Sequence, residues 1–427
     1  MSARPPLLRH CSLADLLERR GRGVSAEAVA VAGPIVEAVR TRGEVALREY
    51  AERFGEIGPG GGPGAVLFIE RDELQRVLTL LPEADRTRLE RVAERIRAFA
   101  EAQKRALGTV SVSVPGGTAG HWIAPVERAG CYAPGGRYPL PSSALMTAVT
   151  ARTAGAKQVW VASPKPGPMT LAAAAIAGAD GVLAAGGAHA IAALAFGAGP
   201  VPPCDVIAGP GNRYVTAAKL LVSAQVAIDM LAGPTELVVF ADASASATTV
   251  AADLLAQAEH DPDARPILVT VDRGLVERVE AELGRQLATL ATADIARQAL
   301  QNGGVVNVAS LDDGIAVCDA LAPEHLQLFL EDATAIAPRL KHFGALFIGG
   351  ASAEVLGDYG AGPNHVLPTA GTARSKGGLS VYTFLRVRTW VRIDDSAAAR
   401  PLVEDAAWLA RLEGLDAHAR AAEQRLD

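Results

Sequence analysis

Four separated stretches of this 427-residue chain carry side chains that can bind a cation or move a proton. The first, LLAQAEHDP (254–262), closes an apolar helical pattern on Gln257, Glu259 and His260 and stops at a proline. In a helix Gln257 and His260 are three positions apart and share a face, while Glu259 points elsewhere. The second, LAPEHLQLFL, sets Glu324 and His325 side by side after a proline and directly before a strand-like apolar run. The third, GDYGAGPNHVLPT, puts Asp358 and His365 in a Gly/Pro-rich loop after ALFIGG. That position predicts a site at a strand's carboxyl end, where open α/β sheets usually bind ligands. The fourth, EGLDAH, offers Glu413 and His418. Each stretch alone reads most simply as a helix cap, a surface charge or a satisfied histidine. Four of the eight histidines fall in these segments, however, and that clustering points to a common site. Nitrogen and oxygen donors without thiolate suit Zn²⁺ at a catalytic position, and Mn²⁺ or Co²⁺ accept the same set. The residues leave the metal open.

The elements that must position these groups are those of a large α/β protein. Hydrophobic residues make up 49% and charged residues 21%, a balance that supports folded cores and argues against disorder. The length fits two large domains with smaller attachments. A net charge of −6, with no lysine or arginine stripe, makes nucleic acid a poor partner. The cysteines at 11, 131, 204 and 318 form no CxxC pair, which fits a reducing cytoplasm better than a disulfide framework. The amino terminus has scattered charges and no apolar core segment, so it does not read as a secretory signal. The long uncharged run 181–204 is broken by glycines and prolines, and no membrane span is predicted.

Residues 13–105 read mostly as helix, interrupted by the glycine cluster GPGGGPG (58–64), which matches no GxGxxG frame and is expected to be a surface loop. From about residue 125, short β-branched runs alternate with Ala-rich helices. QVWVASP, DGVLAAG, CDVIAG and VAIDML are the first series of strands, with helices at 142–155, 188–197 and 212–224. LVVFAD, PILVTVD, VVNVAS and ALFIGG form a second series. This βαβ rhythm predicts two doubly wound, Rossmann-like lobes with parallel sheets, divided near Gly233–Pro234. A helical segment precedes them, and a strand-like VRTWVRI with a helical tail follows. In the first lobe GPGN (209–212) opens a helix directly after a strand, where unpaired amides and the helix dipole favour a pyrophosphate or another anion. A tight strand-to-helix turn explains the same residues, and no full dinucleotide fingerprint is present.

The segments CYAPGGRYPLPSSALM, GPGNRYV, IDMLAGPTE, QAEHDPDA, LAPEHL, GDYGAGPNHVLPT and EGLDAH, in this order, closely resemble the histidinol dehydrogenase family from about residue 25 to the last helix. The resemblance implies one zinc ion per subunit, held at Gln257, His260, Asp358 and His418. It implies a catalytic pair at Glu324 and His325, with substrate contacts at Thr235, His365 and Glu413 besides the metal ligands and the pair. NAD contacts are implied at Tyr132, His189 and Asn212. The implied reaction is a four-electron oxidation of L-histidinol to L-histidine via L-histidinal in histidine biosynthesis, by two hydride transfers to NAD. His325 would take the alcohol proton, and Glu324 would activate water on the aldehyde. The family is a homodimer in which the residue matching His418 completes the partner's site, and amphipathic termini outside the lobes would find cover in such a dimer. The expected division is an arm at 1–24, a main lobe of 25–128 plus 235–379, an NAD lobe at 129–234 and a dimer-associated tail at 380–427.

Two positions depart from the family pattern. GGAQA is GGAHA here, with His189 in place of a glutamine, and IDMLAGPTE carries Thr235 in place of a serine. These changes leave room for an NAD-dependent dehydrogenase of another polar primary alcohol, such as a sulfonated diol. A metal-dependent hydrolase using Glu324 and a zinc-bound water is a further reading of the same residues.

Overall fold

The computed structural model describes residues 6–20, 23–58, 66–135 and 139–425. The glycine cluster, apart from Gly58, lies outside them. Among the described residues no helix is long and apolar enough to cross a membrane, and the four cysteines are free thiols.

Two parallel sheets organise the chain. In spatial order the first contains Phe68–Glu70, Gly181–Leu183, Gln158–Ala162, Arg128–Tyr132, Val206–Ala208 and Ala227–Ile228, parallel except for the antiparallel edge strand at Phe68. The second contains Gly304–Asn307, Arg265–Thr270, Glu236–Ala241, His325–Phe329 and Ala345–Ile348, all parallel. In each, the earliest parallel strand lies in the interior and later strands add first to one side and then to the other. This is the doubly wound order predicted from the alternation of strands and helices. Its near-continuous apolar strands, such as the fully buried ELVVFA, require cover on both faces.

Helices supply that cover. Ala26–Arg42, Glu44–Arg53, Gly187–Phe196 and Arg213–Val222 share one core with the first sheet, while Arg71–Leu80, Glu83–Arg105, Pro141–Ala154 and Pro168–Ile176 share the core on its other face. The helices of the segment 25–128, which is grouped with 235–379 on sequence, therefore pack on the first sheet. The reason is in their apolar faces: Ala28, Ala32, Val36 and Val39 are buried in the same cluster as Leu183 and Ile191. The amino-terminal arm instead joins the second lobe, burying Leu8 and Leu16 and exchanging backbone hydrogen bonds with Val305 at the sheet edge. The chain changes lobe between Ile228 and Glu236, where the Gly233–Pro234 division was expected.

A third, antiparallel sheet goes unforeseen in part. Leu385–Ile393 pairs along its whole length with Gly117–Pro125, which also pairs with Val110–Val114. Only the last of the three in the chain was predicted, as VRTWVRI. The others are largely solvent-facing, and Trp122 stacks on Trp390 with ring centroids 5.5 Å apart. Helices Arg400–Leu412 and Asp416–Glu423 pack on each other beyond this sheet.

The packing makes one glycine in the second lobe informative. Gly314 lies inside the helix Leu311–Leu321, and a Cβ there would come within 2.2 Å of the ring of Phe240, which is fully buried. Glycine to alanine in a helix normally gains about 1 kcal/mol. Here Gly314→Ala should instead cost about 1–3 kcal/mol by overpacking, read as a lower denaturation midpoint in urea.

Candidate active site

The second sheet's amino edge is where the candidate residues meet. Glu236, Arg265 and His325 open adjacent strands, and Glu324 immediately precedes His325. The helix Ala247–Ala258 runs back from the carboxyl edge, so its last turn brings Gln257 to the same place, with His260 just beyond. Asp358 ends the short helix Glu354–Asp358, which returns to this edge after the strand Ala345–Ile348. The expectation of a site at a strand's carboxyl end is thereby corrected. In a parallel sheet the connecting helices end where the next strands begin, and this site is built on those ends.

Glu324 is held by two donors to one oxygen. The Thr235 hydroxyl donates to Oε2 at 2.7 Å and the Glu236 amide at 3.0 Å. Gln257 in turn donates its amide Nε2–H to the Thr235 hydroxyl at 2.9 Å. This fixes the orientation of the fully buried Gln257 and leaves its Oε1 buried without a partner. The part of Thr235 that the network uses is the hydroxyl, which serine would share. Burial drives the Glu324 carboxyl well above the ordinary glutamate range, against the opposing pull of its two donors.

His325 faces the opposite demand. Its Nδ1 lies 3.2 Å from the Glu236 carbonyl, which can only accept, so Nδ1 carries the proton and Nε2 bears the lone pair. Nε2 is buried and has no hydrogen-bond partner, with Asp358 Oδ1 3.7 Å away. Burial pulls its pKa down to about 4, against the attraction of the Asp358 charge. The ring is therefore neutral at ordinary pH, with one nitrogen available to take a proton.

Around this pair lie further donors. His260 Nε2 is 3.8 Å from Asp358 Oδ2, and Glu354 Oε1 is 3.4 Å from His325 Nδ1. Glu354 was not among the residues singled out from sequence. Its signal was available, because Glu354 and Asp358 are four apart and share one face of a helix. Burial, followed by the charges of Asp358, Glu324 and Asp253, pushes the Glu354 carboxyl well up. His325, Glu354 and Asp358 offer ligand atoms within 4.8 Å of one another. The expected set of Gln257, His260, Asp358 and His418 shares only Asp358 with this trio. Gln257 Oε1 fits a cation best among these atoms, since it is a buried carbonyl oxygen with nothing to accept from.

His365 connects the lobes. Its Nδ1–H donates to the Asp358 carbonyl at 3.0 Å, and its Nε2 lies 3.3 Å from the Ser143 hydroxyl on the first lobe. The neighbouring Asn364 donates to the Met146 carbonyl of the same helix. Glu413 and His418 are not brought to this cluster. Both are exposed, Glu413 capping the end of Arg400–Leu412 and His418 on Asp416–Glu423.

In the first lobe, Tyr132 and His189 converge on one turn. The Gly187 amide donates to the buried Tyr132 hydroxyl at 3.0 Å, and burial raises that phenol to about 12. Gly209, three residues before Asn212, approaches the Tyr132 backbone so closely that a Cβ would fall 2.0 Å from its carbonyl oxygen. The amides around GPGN and at the start of the helix it opens, which the sequence predicts to be unpaired, are in part satisfied: the Gly209 amide donates to Asp229 Oδ2 at 2.7 Å. Asn212 Oδ1 caps the helix by accepting from the Tyr214 and Val215 amides.

Comparison with known proteins accords with this arrangement. The family model described as histidinol dehydrogenase matches residues 18–426. A histidinol dehydrogenase of Thermus thermophilus is 47% identical over 408 residues, covering 95% of this chain and 97% of the relative. One of Pseudomonas aeruginosa is 44% identical over 398 residues, covering 92% and 89%. The crystal structure of histidinol dehydrogenase from Elizabethkingia anophelis superposes with a TM-score of 0.91 at 31% identity, covering 99% of each chain.

Asp253, one turn before Gln257, gives a test of the site's electrostatics. Burial raises its carboxyl from 3.8 to about 6, with Gln327 opposing. The native state therefore favours the protonated acid, and that stability is complete below the unfolded value and lost as pH rises through about 6. Asp253→Asn should be more stable than the wild type by about 1–2 kcal/mol near pH 7.5, with the two denaturation midpoints converging towards about pH 4.

Proposed function

The chain belongs to the histidinol dehydrogenase family, and from that premise we propose how its residues carry out the oxidation of L-histidinol in histidine biosynthesis. The observation that carries the reading is the Glu324–His325 pair, two adjacent buried groups whose protonation is shifted in opposite directions by one desolvated site. Family membership selects this reaction over the hydrolase that the same residues also suggested.

In the first step His325 takes the alcohol proton on Nε2. The Glu236 carbonyl holds the Nδ1–H tautomer throughout and accepts a stronger bond once the ring is charged. In the second step Glu324 removes a proton from water adding to the aldehyde. A carboxylate with an ordinary pKa would be a poor base at neutral pH, and burial is what makes this one adequate. The chemistry NAD supplies when bound, at Tyr132, His189 and Asn212, is acceptance of a hydride, required twice because four electrons leave the substrate. A zinc ion at Gln257, His260, Asp358 and His418 would orient the substrate's amine and imidazole nitrogens. Substrate contacts are assigned to Thr235, His365 and Glu413 as well.

His418 and Glu413 reach the site in this reading from a second subunit. A homodimer is supported by the tail's exposed apolar side chains, among them Trp408, Leu412, Leu415, Val387 and Val391. A cytoplasmic location fits this reading, supported by the free thiols and the biosynthetic role.

Glu324→Gln should retain the first oxidation and lose the second by about 10²–10⁴-fold. Single-turnover assays would then yield one NADH per histidinol and accumulate the aldehyde; undiminished acid production would sink the assignment. His418→Ala protein should purify with depleted zinc and little activity. Co-refolded in equal amounts with Glu324→Gln protein, it should recover about a quarter of wild-type activity, because half the dimers would be mixed and each would hold one intact site. No recovery would count against a shared site.

A further inference from the structure

Glu56, just beyond the helix Glu44–Arg53, makes contacts that the reaction as described does not use. Its Oε2 lies 2.8 Å from His189 Nε2, with both side chains buried. Its Oε1 accepts from the Gly186 amide at 2.9 Å. Phe54 and Tyr50 stack near-parallel to the imidazole, with centroids at 5.4 and 6.2 Å, and fix the plane of the ring. On the other side of the turn, the Gly187 amide is tied to the Tyr132 hydroxyl. Every polar atom of the Glu56–His189 pair is thus engaged except one. His189 Nδ1 is buried and has no partner.

The geometry determines what that nitrogen can do. Both Glu56 oxygens act as acceptors, so Nε2 carries a proton, and in the neutral ring Nδ1 is left with its lone pair. A pair serving packing alone would gain nothing from a desolvated, unused acceptor, which is costly to leave unmet. Nδ1 also lies over Gly187, since a Cβ there would be 3.7 Å from it. The acceptor therefore sits at the turn where Tyr132 and the start of the helix Gly187–Phe196 meet.

We propose that Glu56 is a positioning residue for the nucleotide, holding His189 in the Nε2–H tautomer so that Nδ1 accepts a hydrogen bond from a donor group of the bound dinucleotide. This rests on the reading of His189 as a nucleotide contact. The donor is a carboxamide N–H, the adenine amine or a ribose hydroxyl. Glu56 fixes the turn as well, because its second oxygen holds the Gly186 amide, so one carboxylate sets both the ring and the backbone beside it.

The test is a double-mutant cycle on purified zinc-loaded enzyme, reading NAD dissociation by calorimetry alongside steady-state kinetics. Glu56→Gln should weaken NAD about tenfold while kcat and KM for histidinol change less than about twofold. Added to His189→Gln, which has no tautomer to hold, it should have less than about a twofold effect. Glu56→Asp, with its reach shortened by one methylene, should reproduce the loss if Glu56→Gln folds poorly. An equal loss in both backgrounds would overturn the coupling. If His189→Ala leaves NAD affinity intact, the nucleotide assignment of His189 itself fails, a distinct result. Repeating the cycle with the acetylpyridine and hypoxanthine analogues of NAD locates the donor. The coupling disappears with the analogue that lacks it and survives both if a ribose hydroxyl is used.

Discussion

One peptide residue, Glu236, orders the proposed acid–base pair, Glu324 and His325. Its amide donates to Glu324 and its carbonyl accepts from His325, so the two side chains are registered against a single rigid unit at the start of a central strand. The side chain of Glu236 anchors that unit. It is paired with the buried Arg265 at 3.2 Å and accepts from the Ala370 amide at 3.0 Å. Arg265 donates onward to the Leu16 carbonyl, which draws the amino-terminal arm into the same support. Positioning through backbone groups has a physical advantage. The relative placement of Glu324 and His325 then varies with the sheet's register, which side-chain motion does not alter.

The two lobes share a topology and use opposite edges of it. In the first, Tyr132 ends one strand and Asn212 follows the carboxyl end of its neighbour, at the point where the strand order reverses and helix amino termini face outward. Partial positive charge at those termini suits an anionic nucleotide. In the second, Gln257 and His260 lie at a helix carboxyl terminus, where the partial charge is negative and suits a cation. The loop carrying Asn364 and His365 crosses from one lobe to the other and docks on the helix Pro141–Ala154. In the proposed function, an interface that joins a carboxyl edge to an amino edge would let a hydride acceptor and a cation-held substrate meet.

Sequence periodicity made most of the two sheets legible because their strands are short, apolar and separated by helices of ordinary length, although Phe68–Glu70 and the central Arg128–Tyr132 were not singled out. The strand at Val110–Val114 and its neighbour at Gly117–Pro125 were missed for the opposite reason. Their side chains are mostly exposed, so no buried face imposes a pattern. The lobe to which residues 25–128 belong was also illegible. Amphipathic helices announce that they have a buried face without indicating which surface covers it. In the site, Gln257, Glu324, His325 and Asp358 were recognisable from motif order, whereas Glu354 was passed over because an acid between a serine–alanine run and a valine looks like surface. Glu56 could not have been found from sequence, since its partner is 133 positions away.

Charge balance gives the strongest physical reason to propose a cation here. Burial raises the carboxyls of Glu324, Glu354 and Asp253, and the neighbouring acids raise Glu324 and Glu354 further. The nearest base, His325, is held neutral by the same burial. Like-charged groups crowded into a desolvated pocket must be neutralised by protons or by a metal ion. Protons would leave Glu324 unable to act as the base proposed for it. A divalent cation lowers the cost of ionising every acid around it and, unlike a proton, leaves Glu324 free to act as a base. The excess of buried acids over buried cations can therefore be read as the protein's half of an ion pair whose other half is exchangeable, which makes cation binding and base strength at Glu324 a single coupled property.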